Sequence, residues 1–221
     1  MTTAATPAAG AGNTARGYAK GRARRAEIVR VAAAQFADRG FSAATILDIA
    51  NACGISRAGL LYYFPDKESL FEAVLEDRDA EDRARFRPYT KVPGGIGILR
   101  GMIDLADHNR QVPGLIELFV RISAEATHPD HPAHDYFRDR LRRIQHGTAQ
   151  ALRAGAKAGY VRTDVDADDA AARLAALSDG LQLQWLLDRE LDMAGHMRAA
   201  ILDLLTEAGM EAFAAVEEQG P

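Results

Sequence analysis

Between Ser56 and Lys67 the chain places a guanidinium, a bare methyl, two phenols and an ammonium within one short segment, SRAGLLYYFPDK. Arg57 can fork onto a phosphate or the acceptor edge of a guanine, and Tyr62 and Tyr63 can donate phenolic hydrogens. Ala58 lets a backbone approach closely, and Lys67 is a point charge for a phosphate. No nucleophile and base stand together among them. The chemistry is recognition of an anionic, base-bearing polymer, and not bond making.

These side chains need a rigid mount, and the preceding residues supply one. Thr45 is a helix N-cap with Asp48 three residues on, a capping box with Asp in place of Glu. Ile46, Ile49 and Ala50 share one face, and Gly54 supplies the left-handed residue that ends the helix after Cys53. Ile55 packs back, Ser56 caps a second helix, and Leu60 with Phe64 gives it one buried stripe. The opposite face, with Arg57, Ala58, Tyr62 and Tyr63, stays free to enter a major groove about 12 Å wide. Pro65 stops this helix, Asp66 caps the next, and Lys67 lies in its first turn.

The run from Thr45 to Lys67, TILDIANACGISRAGLLYYFPDK, resembles the DNA-binding domain of the TetR family of bacterial transcriptional regulators. The match runs in order through Thr45, Asp48, Ile49, Ala50, Gly54, Ile55, Ser56, Leu60, Tyr63, Phe64, Lys67, Glu68 and Leu70. Gly59 and Leu61 depart from the family pattern, so the contacts usual at those two positions are not carried over. Leu47, where several members place a base-touching polar group, either meets a thymine methyl or is a plain surface leucine. The resemblance makes Thr45, Leu47, Ser56, Arg57, Ala58, Tyr62, Tyr63 and Lys67 the DNA-contacting candidates. It further implies a homodimer on an inverted-repeat operator in double-stranded DNA. Ligand bound in a C-terminal body turns the fourth helix and releases the operator, so the expected function is a repressor.

Composition agrees. Among 221 residues 48% are hydrophobic, enough for a sizeable core, and only 7% are aromatic. No segment alternates as a sheet would, so the expected class is all-α: a three-helix reader joined to a helical bundle, about nine helices in all. The formal charge of −4 is unevenly spread: residues 1 to 67 hold nine Arg or Lys against four acids, a net of +5, so the remainder carries −9. A basic phosphate-facing part on an acidic body has that asymmetry. Cys53 is the single cysteine; it falls on the inward side of a helix end and reads as core. No run approaches the roughly eighteen apolar residues of a membrane span, and the N-terminal stretch lacks an apolar signal region. The expected location is cytoplasmic, with no membrane partner and no cofactor.

Three parts follow along the chain: a disordered arm over 1–21, the reader over 22–67 and a ligand-binding, dimerising body over 68–221. Arg16 to Arg25 form a basic arm able to reach a minor groove or the backbone. The first helix spans about Ala23 to Asp38, with Ile28, Val31, Ala32 and Phe36 inward. The fourth helix starts at Asp66, and Pro88 to Gly97 breaks it and marks a seam. Later helices are expected at about 96–109, 114–126, 133–158, 167–189 and 193–214. Leu174, Leu177 and Leu181 on the eighth helix, with Met197, Ile201 and Leu204 on the ninth, form apolar stripes that resemble the family's dimerisation pair; the competing reading is that both close their own core.

Met102, Asp104, His108, Phe119, Tyr136, Gln182 and Trp185 outline a mostly apolar effector pocket with sparse polar handles. His128, His131 and His134 straddle prolines and read as turn and cap residues, not metal ligands. Asp164, Asp166, Asp168 and Asp169 lack the glycine and final Glu of a calcium loop and read as charge at a helix N-terminus. The rival from another class is a helical small-molecule-binding protein or enzyme with no DNA role. It would need titratable groups in one pocket, for which only Asp104, His108, Arg121 and His146 are candidates.

Overall fold

A computed structural model describes the backbone of residues 11–219 and the side chains of residues 19–218. Among the described residues the chain is α-helical throughout, apart from short turns and one isolated antiparallel bridge between Val161 and Leu205. It divides into two compact units, Met1–Val74 and Leu75–Pro221.

The first unit holds α1 (Ala11–Ala43), α2 (Ile46–Ala52), α3 (Arg57–Tyr63) and the start of α4 (Lys67–Phe86). Helix begins at Ala11, well before the expected Ala23, so the stretch 11–21 expected as disordered arm is helical; residues 1–10 lie outside the described residues. Gly40, with φ 78° and ψ 166°, breaks α1 where its end was expected. The unit's core is Ile28, Ala32, Phe36, Ile49, Leu60, Phe64, Leu70 and Phe71, all essentially fully buried. Phe36 and Phe71 meet edge to face at 5.1 Å, the arrangement that brings a positive ring edge onto a negative ring face.

The second unit starts inside α4, not at the residue after Lys67, and the turns at Tyr89–Lys91 and Pro93–Gly95 lie within it instead of marking a seam. It continues through α5 (Ile96–Asn109), α6 (Pro113–Glu125), α7 (His134–Lys157) and α8 (Ala167–Leu187). Its apolar core draws on Ile96, Leu99, Ile116, Leu152, Trp185 and Phe213, with α7 against α8 and α5 against the helix after α8.

The expected last helix is two: α9 (Met193–Leu202) and α10 (Glu207–Gln219). The cause is a passing segment that takes the hydrogen bonds a continuous helix would use. The Arg162 amide donates to Leu204 O at 3.0 Å and the Thr206 amide to Tyr160 O at 2.9 Å. Thr206 Oγ1 then caps α10, accepting from the Gly209 amide at 3.0 Å. A Cβ at Gly209 would stand 2.0 Å from Tyr160 O, so the close approach requires glycine.

Candidate nucleic-acid interface

The turn between α2 and α3 closes by local rules. The Gly54 amide bonds Asn51 O and the Ile55 amide bonds Ala50 O, both at 3.0 Å, while Gly54 takes φ 64°. This is a Schellman closure, and its left-handed residue is the reason a glycine stands there. Ser56 Oγ accepts from the Gly59 amide at 3.0 Å, which starts α3. Leu60 and Phe64 are buried, and the other face of α3 is left outward.

On that outward side Leu47 is 53% and Tyr62 84% exposed, far more than large side chains in a closed bundle need to be. Arg57 and Ala58 are exposed and Tyr63 is half-buried, its ring meeting Tyr62 edge to face at 5.3 Å. Arg57 has no ion-pair partner among the described residues, so its five donors remain available. Ser56 keeps its hydroxyl hydrogen. Thr45 does not: its Oγ1 accepts from the Asp48 amide at 3.1 Å and donates to Asp48 Oδ2 at 2.7 Å. Asp48 in turn pairs with Arg39 at 3.2 Å, so the hydroxyl hydrogen of the DNA-contact candidate Thr45 is engaged inside the reader.

Lys67 is also engaged. Its Nζ donates to Phe41 O at 2.9 Å and Ser42 O at 3.4 Å and sits 4.3 Å from the centroid of the Phe41 ring. It ties the start of α4 to the last carbonyls of α1, with one ammonium hydrogen left for a phosphate. Asp66 caps α4 by accepting from the Ser69 amide at 2.7 Å, and that bond holds its carboxyl below the usual range.

Arg24 and Arg25, expected within the reader over 22–67 and also as the end of the basic arm Arg16 to Arg25, are engaged inside the reader. Arg24 Nη2 donates to Cys53 O at 2.9 Å, clamping the end of α2, and its Nη1 pairs with Glu27 at 2.6 Å. The Arg25 guanidinium lies 4.7 Å over the Phe64 ring. Cys53 is buried, which pushes its thiol upward and away from reactivity.

The expected effector residues are each engaged in packing or polar contacts of the body. Trp185 is 4% exposed within the apolar core, against which Met102 packs. The Phe119 ring has two guanidiniums over it, those of Arg78 at 5.6 Å and Arg140 at 5.2 Å from its centroid. Tyr136 donates to Asp79 Oδ1 at 2.9 Å. Asp104 pairs with Arg100, and Gln182 bonds only Ser178 of its own helix, at 3.5 Å. His108 is half-buried; burial, then Arg85 and Arg78, depress its basicity. Arg121 pairs with Glu117 at 3.7 Å, and His146 lines a shallow surface depression with Arg142, Arg143, Gln145 and Asp168. Of the four residues an enzyme reading would draw on, Asp104 and His108 lie one turn apart on α5, while Arg121 is on α6 and His146 on α7.

The expected dimer stripes need correction. Leu174 is 3%, Leu181 5%, Met197 1% and Ile201 0% exposed in the single chain, so these four have no surface to offer a partner; they close their own core. Leu177 and Leu204 are half-buried. What α8 leaves outward is Leu183, 49% exposed, and Leu187, 83% exposed, while α10 exposes Met210. The stripe shows the period that faces the core, and the outward apolar residues sit off that period. The imidazoles of His131 and His134 bond the local backbone, His131 Nδ1 accepting from the Ala133 amide at 3.1 Å. Asp166 caps α8 through the Asp168 and Asp169 amides. Both are the turn and cap roles expected of them.

An N-terminal helix-turn-helix reader on an all-α body defines a class of DNA-binding regulator, and comparison with known proteins gives the family. Residues 28–74 match the model of bacterial regulatory proteins of the tetR family, and residues 98–208 match the C-terminal part of BetI-type transcriptional repressors. The chain belongs to the tetR family and is a DNA-binding transcriptional repressor. It is 29% identical over 183 residues to the HTH-type transcriptional repressor Rv1474c of Mycobacterium tuberculosis, covering 83% of this chain and 91% of that one. It is 28% identical over 151 residues to the repressor KstR2 of the same organism, covering 66% and 72%. A transcriptional regulator from Saccharomonospora viridis, solved in complex with choline, superposes with a TM-score of 0.69 at 26% identity, over 83% of this chain and 98% of that one. No helix among the described residues is long and apolar enough to cross a membrane.

Proposed function

We propose that this repressor acts as a homodimer on an inverted-repeat operator, that a small molecule bound in the body releases it, and that it catalyses no reaction. The observation that carries the operator reading is the outward face of the reader. Leu47, Arg57, Ala58 and Tyr62 stand exposed on two short helices whose turn and caps are closed by their own hydrogen bonds. A rigid mount carrying one free guanidinium and apolar contact groups suits base-edge reading in a major groove. Ser56, Tyr63 and the remaining hydrogen of Lys67 supply backbone contacts.

The second copy packs through the outward residues Leu183 and Leu187 of α8, with Met210 of α10 and the half-buried Leu177 and Leu204. Support for a ligand comes from the relatives, among them the choline complex from Saccharomonospora viridis. A reader of genomic DNA with one buried cysteine works in the cytoplasm. Footprinting on the DNA flanking its own gene tests the reading. The expected result is two protected half-sites about 34 to 36 Å apart or a multiple of it, as a two-fold dimer requires. A single unrepeated site, or no preference over random DNA, sinks it.

A further inference from the structure

The half of α4 that belongs to the body is almost without apolar anchorage. From Leu75 to Phe86 only Leu75 is a buried apolar side chain, and Phe86 is half-buried. Helix α4 is not among the closely packed helix pairs of the body, unlike α7 with α8 or α5 with α9. What holds it is polar. Asp79 accepts from three side chains of α7: Tyr136 OH at 2.9 Å, Arg140 Nε at 3.2 Å and Arg143 Nη2 at 2.8 Å. Arg140 Nη2 also reaches Asp82 at 3.4 Å, and Arg78 Nη2 donates to the buried Asn109 of α5 at 3.1 Å.

The side chains of Arg78, Asp79 and Asp82 are only 5%, 12% and 14% exposed, so this is an ionic cluster largely out of water. It is imperfectly satisfied. Arg78 Nε lies 3.4 Å from Asp82 Oδ2 but finds no hydrogen-bond acceptor among the described residues, and burial with Arg140 nearby disfavours its charge. The Phe119 ring of α6 contacts both the Arg78 and the Arg140 guanidinium and meets Phe137 at 5.7 Å. Burial, and then Asp79, push the Tyr136 phenol well above its ordinary value, so it stays a donor.

A buried ionic cluster is a poor stabiliser, because apolar residues of similar volume hold helices together as well or better. It is, however, directional: a carboxylate gripped by three donors fixes the rotation of its helix about its axis, which a greasy seam does not. We propose that Asp79, gripped by Tyr136, Arg140 and Arg143 and backed by the Phe119 ring, is a latch that fixes the setting of α4 and thereby preorganises the reader for its operator. The latch rests on the operator reading above and names the residues through which the body controls it. Helix α4 runs without interruption from Lys67 to Phe86, across the boundary between the two units. Unlatched, α4 samples more settings, and specific binding must then restore the order that was lost. Phe119 gives the rest of the body a handle, since moving one ring disturbs both arginines.

The test uses the full chain with Asp79→Asn, Arg140→Met, the double variant and Tyr136→Phe. Operator and random-DNA affinities are read by anisotropy, and amide exchange is read over 75–86. The expected result is about tenfold weaker operator binding for Asp79→Asn, the scale of a lost charge-assisted hydrogen bond. Random-DNA binding should stay unchanged, the double variant should be no weaker than the worse single, and exchange in α4 should be faster. Tyr136→Phe, which removes one hydrogen bond and leaves the packing, shows a smaller loss in the same direction and decides the matter should Asp79→Asn not fold. A lower melting temperature with operator affinity and α4 exchange at wild-type values makes the cluster merely structural and overturns the latch. Wild-type protein that binds no operator overturns the functional reading instead, and α4 exchange still reports whether the cluster holds the helix.

Discussion

Replacing Lys67 by Met separates two roles that one side chain could have in this reader. As a phosphate contact alone, its loss weakens all DNA equally, lowers the salt slope by roughly one and leaves the protein's stability untouched. The structure adds a second role. Lys67 Nζ bonds Phe41 O at 2.9 Å and rests 4.3 Å from the Phe41 ring. A hydrogen bond to a charged group contributes about 1.5 to 3 kcal/mol and a cation over an aromatic face about 0.5 to 1 kcal/mol. Lys67 is half-buried, so solvent screening reduces the sum, and about 1.5 to 2 kcal/mol is the reasoned loss. Methionine keeps the stem and removes only the charge and the donors. The loss should appear locally, at the end of α1 and the first turn of α4, as amide exchange roughly 10- to 30-fold faster in native-state experiments. Unchanged exchange there, with a salt slope reduced by one, would refute the clamp and leave the phosphate contact.

Other residues part along similar lines. Arg57→Ala removes an exposed side chain with no internal partner, so stability should hold while discrimination between operator variants falls by about 1 to 3 kcal/mol, read by competition binding on single-base variants. Leu187→Asp, at a position 83% exposed, should leave the melting temperature intact and give a monomer by sedimentation, whereas Leu181→Asp, 5% exposed, should unfold the body; a folded monomer from Leu181→Asp would put the interface back on the buried stripe. Asp166 has its carboxyl held below the ordinary value by the amides of Asp169 and Asp168. Its stabilising contribution is therefore complete above the ordinary carboxylate range of about 4 and fades as pH falls through the lower folded value. Asp166→Asn should remove that part of the acid dependence of melting, and an unaltered acid limb would show the cap carries no such linkage.

The reader was legible because its rules are local. A cap, an i to i+3 partner and a glycine forced left-handed are visible within ten residues of one another, and Gly54, Ser56 and Asp66 stand where those rules place them. What was not legible depends on contacts made at long range. Nothing near Leu204 announces that residues 160–162 will intercept the ladder and split the last helix. The apolar stripe of α8 predicts a buried face, and Leu174 and Leu181 are buried, but it does not say that their own chain buries them. Chemical type and helix membership suggest a pocket lining, but not which neighbour each side chain meets: the fold sends Trp185 into the apolar core and Tyr136 to Asp79.

Charge shows the same division between sequence and structure. Counted along the chain, residues 1 to 67 carry nine cations that all invite a phosphate reading. In the fold Arg24 holds the end of α2, Arg25 covers Phe64, Arg39 pairs with Asp48 and Lys67 holds the end of α1. Each of these four ties two segments of the reader together, so much of the basic character stabilises the mount and does not reach the nucleic acid. Among the described residues Lys20, Arg22, Arg30 and Arg57 remain exposed. Because non-specific binding is almost wholly counterion release, each cation engaged inside the reader lowers the expected affinity for random DNA. Selectivity then rests on a small set of base-edge contacts and on how well α4 holds its setting, which places operator affinity under the control of the cluster at Asp79.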